Sequence, residues 1–402
     1  SWSDFRGWPR SVCFFQQRLL FGGNSSFPDT IWGSKQGNIR WFDRKGYAPD
    51  AGYPGGDVAT DALEHTLAAE QINRIQWLAA DKNIGIGTEL REWIGGPSDT
   101  TAAYGPLNFN YSAETAIGSS YVKASRIENA IEFVERDSQK IREFVFNFRE
   151  DAYKSDDLTI DAEHMPRKSL ELYASVLVPK IIQIAYQAST KILWCLDNNG
   201  GLFACTRDRQ TGQTAWNFHK IGGSLSSETP KVLSICTLKS HDGTCDELWL
   251  QVKRTVNSGT KYYIERISKE FQHTDIYNSS ASIDNKPVYS DCAKLVILGS
   301  AGKTFTGFSY LEGQTVACVA DGSYVGTKVV ASGSIVLTDN ATELIAGLPY
   351  SQQVVTLPIE AGAIIGSAMG AVKRIDRIVM NFVRSIGAKF GKSTDAADLI
   401  TV

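Results

Sequence analysis

A short repeated pattern decides the fold, and it is clearest in Ile84-Gly85-Ile86-Gly87-Thr88-Glu89-Leu90-Arg91-Glu92-Trp93. An apolar run is followed by a tight turn, and a large aromatic residue stands four residues beyond the turn. The same spacing from turn to aromatic residue occurs five times: Gly37 to Trp41, Glu89 to Trp93, Lys140 to Phe144, Gly212 to Trp216 and Gly259 to Tyr263. Each instance follows an earlier apolar run, which indicates a repeated antiparallel strand pair.

The repeat has the period of a propeller blade. Successive aromatic residues of the pattern are 52, 51, 72 and 47 residues apart, close to the roughly 40–50 residues of a blade with one long insertion. A single blade cannot bury its own face, so its neighbours must supply the core. We therefore predict an all-β chain with a β-propeller-like domain over residues 1–269, formed by five strand-pair repeats. An insertion at about 149–180 is expected to carry a short helix across Asp157–His164.

Beyond residue 269 the sequence pattern changes to short strand-like runs separated by glycines. The candidate strands are Lys294–Leu298, Gln314–Val319, Ser334–Leu337 and Gln353–Pro358. This spacing predicts one or more small β-barrel or sandwich modules over residues 270–402. The segment Lys373–Arg384 is ambiguous, because its apolar residues fit a helical stripe while Gly387 and Gly391 are typical of hairpins.

Composition sets broad limits. The chain has 402 residues, 43% hydrophobic and 21% charged, with a net charge of -3. This is ordinary for a soluble globular protein, and the net charge does not favour bulk attraction to nucleic acid. No apolar run approaches the roughly 20 residues of a membrane-spanning helix. Because the sequence lacks both a starting Met and a signal peptide, we expect a fragment or a processed product.

Seven cysteines are spread thinly along the chain, and no Cys-x-x-Cys pair occurs. Zinc ribbons and redox motifs are therefore not expected. Small buried thiols in a reducing cytoplasm are the favoured interpretation. Cys236 and Cys245 flank an expected turn at His241-Asp242-Gly243, and oxidation could join them.

One motif suggests a cofactor. Asp208-Arg209-Gln210-Thr211-Gly212-Gln213-Thr214-Ala215-Trp216 matches the Asp-x-x-Thr-Gly-x-x-x-Trp pattern of quinoprotein propeller blades. In such a motif Thr-Gly makes the turn and Trp wedges between neighbouring blades. Only one complete copy is present, so we predict structural docking and no bound cofactor.

No catalytic, cofactor-binding or metal-binding residue is predicted, and we expect no enzymatic activity. The five histidines stand apart from one another, and no Walker loop, dinucleotide fingerprint or Gly-x-Ser-x-Gly motif is present. Gly299–Thr304 resembles only the end of a Walker loop. Paired carboxylates distant in sequence stay possible. The acids between Glu143 and Glu163 are expected to form a solvated face.

Several ordered segments resemble one known family. At the N-terminal end these are Trp8-Pro9-Arg10-Ser11-Val12-Cys13-Phe14-Phe15-Gln16-Gln17-Arg18-Leu19-Leu20-Phe21-Gly22-Gly23 and Gln71-Ile72-Asn73-Arg74-Ile75-Gln76-Trp77-Leu78. Further along they are Asp157-Leu158-Thr159-Ile160-Asp161-Ala162-Glu163-His164, Asp246-Glu247-Leu248-Trp249-Leu250 and Tyr310-Leu311-Glu312-Gly313-Gln314-Thr315-Val316. The order and spacing of these segments are similar to those of tail tubular protein B, the tail nozzle of short-tailed bacteriophages and related prophages.

The resemblance implies a structural protein of the virion tail, assembled in the host cytoplasm. It implies a hexameric ring that contacts the tail adaptor near the portal and the tail fibres. Double-stranded DNA would pass through the lumen without sequence-specific binding, and no insertion into a membrane is expected. The resemblance also favours strand over helix for Lys373–Arg384.

Two other functions stay open at the level of sequence. A propeller glycoside hydrolase or sialidase-like enzyme acting on host surface polysaccharide would need converging carboxylates in a funnel. A receptor-binding adhesin would use exposed Trp and Tyr side chains in the loops rich in glycine and proline as anchors.

Overall fold

The computed structural model confirms an all-β chain. It describes residues 2–43, 58–69, 71–159, 180–223, 230–256, 259–268, 283, 286, 288–350, 353–354, 374, 377–381, 388–391 and 399–401. The described residues form 25 strands, and helical structure among them is confined to short 3₁₀ turns such as Ser309–Leu311. The chain divides into two compact units, which are treated separately below.

Unit 1 comprises Ser1–His219, Pro230–Lys253 and Tyr262–Lys269, and it is a series of antiparallel sheets. In each sheet the strands pair in the order in which they occur in the chain, as in the blades of a propeller. Blade 1 consists of β1 (Ser11–Phe15), β2 (Arg18–Gly22), β3 (Thr30–Gly33) and β4 (Leu63–Thr66). Blade 2 consists of β5 (Ile75–Ala80), β6 (Ile84–Thr88), β7 (Glu92–Gly96) and β8 (Asn110–Thr115).

The remaining blades follow the same plan. Blade 3 consists of β9 (Ser125–Ile127), β10 (Ala130–Val134), β11 (Ile141–Asn147) and β12 (Ala152–Asp157). Blade 4 consists of β13 (Ile181–Gln187), β14 (Ile192–Asp197), β15 (Leu202–Asp208) and β16 (Gln213–His219). Blade 5 has three described strands, β17 (Lys231–Lys239), β18 (Asp246–Val256) and β19 (Gly259–Arg266).

Consecutive blades bury apolar residues against each other, which gives unit 1 its β-propeller-like character. Phe15 and Leu20 of blade 1 share a buried cluster with Ile84 and Trp93 of blade 2. Equivalent clusters join blade 2 to blade 3 and blade 3 to blade 4. Close approach is part of this packing, since a Cβ atom at Gly85 in blade 2 would overlap the side chain of Ile131 in blade 3. Blades 1 to 4 thus bury their faces against their neighbours, as the repeat pattern predicts.

The aromatic residues of the repeat do not occupy one fixed place in the blade. Trp93, Phe144 and Tyr263 lie in the third strands of their blades, whereas Trp216 lies in a fourth strand. Trp41 lies outside the strands, because β3 ends at Gly33 and the following residues form turns, with Trp41 N donating to Asn38 O. The shift to a fourth strand therefore accounts for part of the 72-residue gap that the sequence assigns to an insertion.

The described part of the expected insertion belongs largely to blade 3. Residues 152–157 are β12, and Asp157, the first residue of the expected helix, is the last residue of that strand. The Asp157 carboxylate accepts hydrogen bonds from the backbone N and the Oγ1 of Thr159, and this turn ends the strand. Residues 160–164 of the expected helix lie outside the described residues.

Unit 2 comprises Lys220–Thr229, Arg254–Lys261 and Glu270–Val402. Its main sheet has the order β20-β23-β21-β22, formed by β20 (Asp291–Thr306), β21 (Thr315–Ala320), β22 (Ser323–Val329) and β23 (Ser334–Leu348). Phe305, Val316, Ile335 and Leu344 are among its fully buried core residues.

The tail of unit 2 contains a second, smaller sheet. Its strands are β24 (Lys389–Gly391) and β25 (Leu399–Thr401). In the ambiguous segment Lys373–Arg384 the described residues, 374 and 377–381, are neither helix nor strand. The rest of that segment, and the expected strand Gln353–Pro358 beyond residue 354, lie outside the described residues.

Candidate functional site

The interface between blades 3 and 4 holds the most unusual group of charged side chains in unit 1. Glu132 on β10 lies directly opposite Glu143 on β11, which in turn lies opposite Asp156 on β12. Residues opposite each other in antiparallel strands point to the same face, so three carboxyl groups form a row. Glu132 and Glu143 are buried, whereas Asp156 is exposed. Like charges directly opposite destabilise a sheet, so the row requires compensating groups.

Two arginines of blade 4 supply the compensation. Arg207 Nη2 lies 2.7 Å from Glu143 Oε2, and Arg209 Nε lies 2.5 Å from Glu143 Oε1. Arg207 also donates to Thr214 Oγ1, and Arg209 donates to Asn129 Oδ1 in the turn before β10. The two guanidinium groups therefore converge on Glu143 and tie blade 4 to blade 3. We call Glu132, Glu143, Arg207 and Arg209 the interblade charge cluster.

Glu132 occupies a different environment within the cluster. Its exposed fraction is 0%, and neither carboxyl oxygen has a hydrogen-bond partner among the described residues. Burial is the main cause that raises the pKa of Glu132 well above its usual value, and the neighbouring Glu143 charge raises it further. Arg207 and Arg209 act in the opposite direction but do not outweigh burial.

Burial also determines what the cluster can do chemically. A glycosidase usually acts through a pair of carboxyl groups. A substrate must reach both groups, yet the Glu143 side chain is only 6% exposed and Glu132 is sealed completely. The geometry therefore supports a structural tie between blades rather than acid–base chemistry on an external substrate.

The motif at Asp208–Trp216 positions one part of this cluster. Gly212 has a φ of 71°, so it supplies the positive φ that the β15–β16 turn requires. Trp216 packs into the cluster of apolar residues shared by blades 3 and 4, and its Nε1 donates to Leu158 O at 2.8 Å. The motif thus docks two blades, as the sequence predicts, and it also carries Arg209 to Glu143.

The expected acidic face does not extend to every acid from Glu143 onward. Glu143 lies inside unit 1, and Asp157 is held by Lys140 at 3.0 Å. Hydrogen bonds from Thr159 and Lys140, with the charge of Arg142, lower the pKa of Asp157 against the opposing effect of burial. Glu150 and Asp156 are exposed. Asp161 and Glu163 lie outside the described residues.

Of the five histidines, His65 is buried in the core of unit 1. Glu64 is exposed while His65 is buried, as alternation on β4 requires. His65 Nδ1 lies 2.9 Å from the hydroxyl of Tyr111, and its ring stacks on Phe109. His65 is therefore a core residue, held through Nδ1 and by stacking. His164 and His273 lie outside the described residues.

The expectations for cysteine need one correction. Cys195, Cys205 and Cys318 are buried, but Cys236 is exposed. Cys236 lies opposite Trp249 on β18, whereas the backbone of Cys245 pairs with Ser240 at the end of the hairpin. The register separates the two thiols by several residue pairs, so the hairpin does not place them for a disulfide.

Other sites are not indicated by the part of the chain that the structure describes. Within it, no group of three or more His, Cys, Asp or Glu side chains is arranged to hold a metal ion. No helix among the same residues has the length and apolar character needed to cross a bilayer. Gly299–Thr304, the Walker-like segment, lies within strand β20, which agrees with its rejection as a phosphate loop.

Sequence reasoning missed the interblade charge cluster, although a signal for it exists. Glu132 interrupts the apolar run Ile131–Val134, and Glu143 interrupts the run Ile141–Phe146. A charged residue inside a buried strand usually has a partner. The partners, however, come from a different blade, and the hydrogen bond from Arg207 to Glu143 spans 64 residues of sequence.

Comparisons with known proteins concern the fold. No family model matches the chain, and no curated protein matches it. Among solved structures, it is similar to the β-propeller domain of Cps50 (Swd1) from Myceliophteria thermophila, with 6% identity, a TM-score of 0.35, and 65% of this chain and 73% of that chain covered. A protein from Lactobacillus plantarum has 9% identity and a TM-score of 0.36, with 84% and 87% covered. A luciferin-regenerating enzyme has 7% identity and a TM-score of 0.31, with 65% and 76% covered. We draw no conclusion on function from them.

Proposed function

We propose that the chain is a structural subunit of a phage tail nozzle, a ring that extends the channel for genome DNA. The observation that carries the proposal is the sealing of the interblade charge cluster. The converging carboxyl groups of unit 1 tie blades together and lie out of reach of a substrate. Together with the ordered resemblance to tail tubular protein B, this favours a load-bearing role over an enzymatic one.

Rigid construction supports the same proposal. Polar ties recur between successive blades of unit 1 in addition to apolar packing. Thr115 of blade 2 and Ser155 of blade 3 are joined by their hydroxyl groups at 3.0 Å. Gln183 of blade 4 accepts from Ile235 N at 3.0 Å and donates to Ile235 O in blade 5. A channel that carries DNA under pressure needs subunits that keep their shape, and cross-blade ties of this kind provide it.

The charge of the chain is compatible with a DNA channel. With a net charge of -3 per chain, a ring would not be basic as a whole. Each Lys or Arg engaged with a phosphate adds affinity, which would retard the passage of DNA. Arg207 and Arg209 point into the blade interface, where both contact Glu143 and are only 10% and 16% exposed, so they do not act on DNA.

The proposal is tested by the mass of the assembly. Light scattering at micromolar concentration should give six times the 44.1 kDa of one chain. A screen for sugar release from host surface polysaccharide should give no product. A monomer that releases sugar would contradict the proposal and favour the hydrolase. A monomer that binds glycans or cells without cleaving them would favour the adhesin.

A further inference from the structure

We propose that the contact between blades 3 and 4 is pH-sensitive: the closed interface holds the buried Glu132 carboxyl in its protonated form, and the interface opens more readily as the pH rises. The inference is independent of the proposed function, because it concerns the stability of unit 1 alone. It rests first on geometry: a carboxyl group with 0% exposure, no hydrogen-bond partner among the described residues, and another carboxyl directly opposite it.

The groups that face Glu132 determine its charge. Its own sheet contributes Glu143, and blade 4 contributes Tyr186, Cys195, Cys205, Arg207 and Arg209. Burial raises the pKa of the Cys205 thiol to about 12, and it also raises the pKa values of Cys195 and Tyr186. These three groups are therefore neutral near pH 7. The charges that face Glu132 are those of Glu143, Arg207 and Arg209.

Burial outweighs the attraction that the neighbouring charges exert on an ionised Glu132. One carboxylate and two guanidinium groups leave one positive charge, which attracts an ionised Glu132. The contacts of 2.7 Å and 2.5 Å from the arginines, however, both end on Glu143. An ion that is buried without hydrogen bonds carries a large desolvation penalty. The proton removes this penalty and also the repulsion from Glu143.

The sign of the pH dependence follows from linkage. The pKa of Glu132 is raised in the folded chain above the ordinary value of 4.5. Its contribution to stability is therefore fully present below about pH 4.5 and is lost as the pH rises through the raised pKa. Between about pH 4.5 and the raised pKa of Glu132, the opening constant of the interface should increase by about tenfold per pH unit.

Hydrogen exchange can measure the opening directly. The experiment compares amide protection in β11 and β15 between the wild type and Glu132→Gln over a range of pH. Since glutamine cannot ionise, the ratio of wild-type to variant opening constants should increase with pH and then level off. Strand β21 of unit 2 is the internal reference, and its protection should be the same in both proteins at each pH.

Two further variants make the result decisive. Glu135→Gln removes a carboxyl group immediately after β10, and it should keep the wild-type pH slope because Glu132 is retained. Glu132→Met replaces the ionisable group with an apolar side chain. If Glu132→Gln does not fold, Glu132→Met takes its place, and the pH slope seen in the wild type should be absent from it. A ratio of opening constants that is the same at every pH would overturn the proposal, as would a wild-type slope that survives in both Glu132 variants.

Discussion

Substitution of Glu143 should weaken unit 1 more than any exposed charge can. In Glu143→Gln the two arginines lose the carboxylate on which both converge. Their side chains are only 10% and 16% exposed, so water cannot replace it. Removing one partner of a buried ion pair costs about 3–5 kcal/mol, because a buried charge is left uncompensated. Glu132 can offset part of this loss by releasing its proton, so we expect a value near the lower end of that range.

Tryptophan fluorescence during urea unfolding is a suitable assay. All nine tryptophans lie between Trp2 and Trp249, and each falls within unit 1. The signal therefore reports the unfolding of unit 1 without contribution from unit 2. With a denaturant dependence of roughly 3 kcal/mol per molar urea, a loss of about 3 kcal/mol lowers the midpoint by about 1 M.

The matched control is Glu150→Gln in the same blade. Glu150 also forms an ion pair, with Lys154 at 2.5 Å, but the two side chains are 53% and 37% exposed. Solvent screens such a pair, so we expect no measurable shift of the midpoint. The double variant Glu132→Gln/Glu143→Gln lacks the compensating proton release and should unfold at lower urea than Glu143→Gln. Equal midpoints for Glu143→Gln and Glu150→Gln would refute the reasoning.

Three other contacts in unit 1 give predictions of similar form. Trp216→Phe loses the hydrogen bond to Leu158 O and should lower stability by about 1 kcal/mol, measured by the same urea curve; an unchanged midpoint would count against the docking role. Gln183→Ala leaves the backbone of Ile235 without its side-chain partner, at a cost of about 1–3 kcal/mol; limited proteolysis should cut blade 5 faster than in the wild type, and equal rates would contradict the tie. Arg18 is fully buried and donates to four backbone carbonyl groups. Arg18→Lys has a different donor geometry and should reduce the melting temperature; an unchanged melting temperature would show that the guanidinium hydrogen bonds are dispensable.

Many strands of unit 1 could be predicted, because apolar alternation and apolar runs in the sequence coincide with the strands of the structure. Alternation at Leu63 and His65 predicts a half-buried strand, and the structure has β4 at Leu63–Thr66. The run Ala130–Glu135 corresponds closely to β10. The spacing of apolar residues also predicts a strand at Tyr121–Ala124, and this prediction is wrong, since β9 begins at Ser125. Val122 and Ala124 are nevertheless buried, so apolar spacing alone could not separate a buried connection from a strand.

The interblade charge cluster was harder to predict because it depends on register and on blade order. The β10–β11 register places Glu132 opposite Glu143, and a shift of one residue would send the two side chains to different faces. Arg207 and Arg209 reach Glu143 only because blade 4 packs on that face of blade 3. Local periodicity contains neither fact, so the sequence predicts a solvated face for Glu143 and gives no role to Glu132.

The central claim, a ring-forming nozzle subunit, is tested most directly by electron microscopy of the purified chain. We predict sixfold rings with a central channel wide enough for duplex DNA, as the resemblance to tail tubular protein B implies. The wild type and Glu150→Gln should give the same rings. Tryptophan fluorescence should first show that the chain is folded at the concentration used. Folded particles without a central channel would contradict the claim.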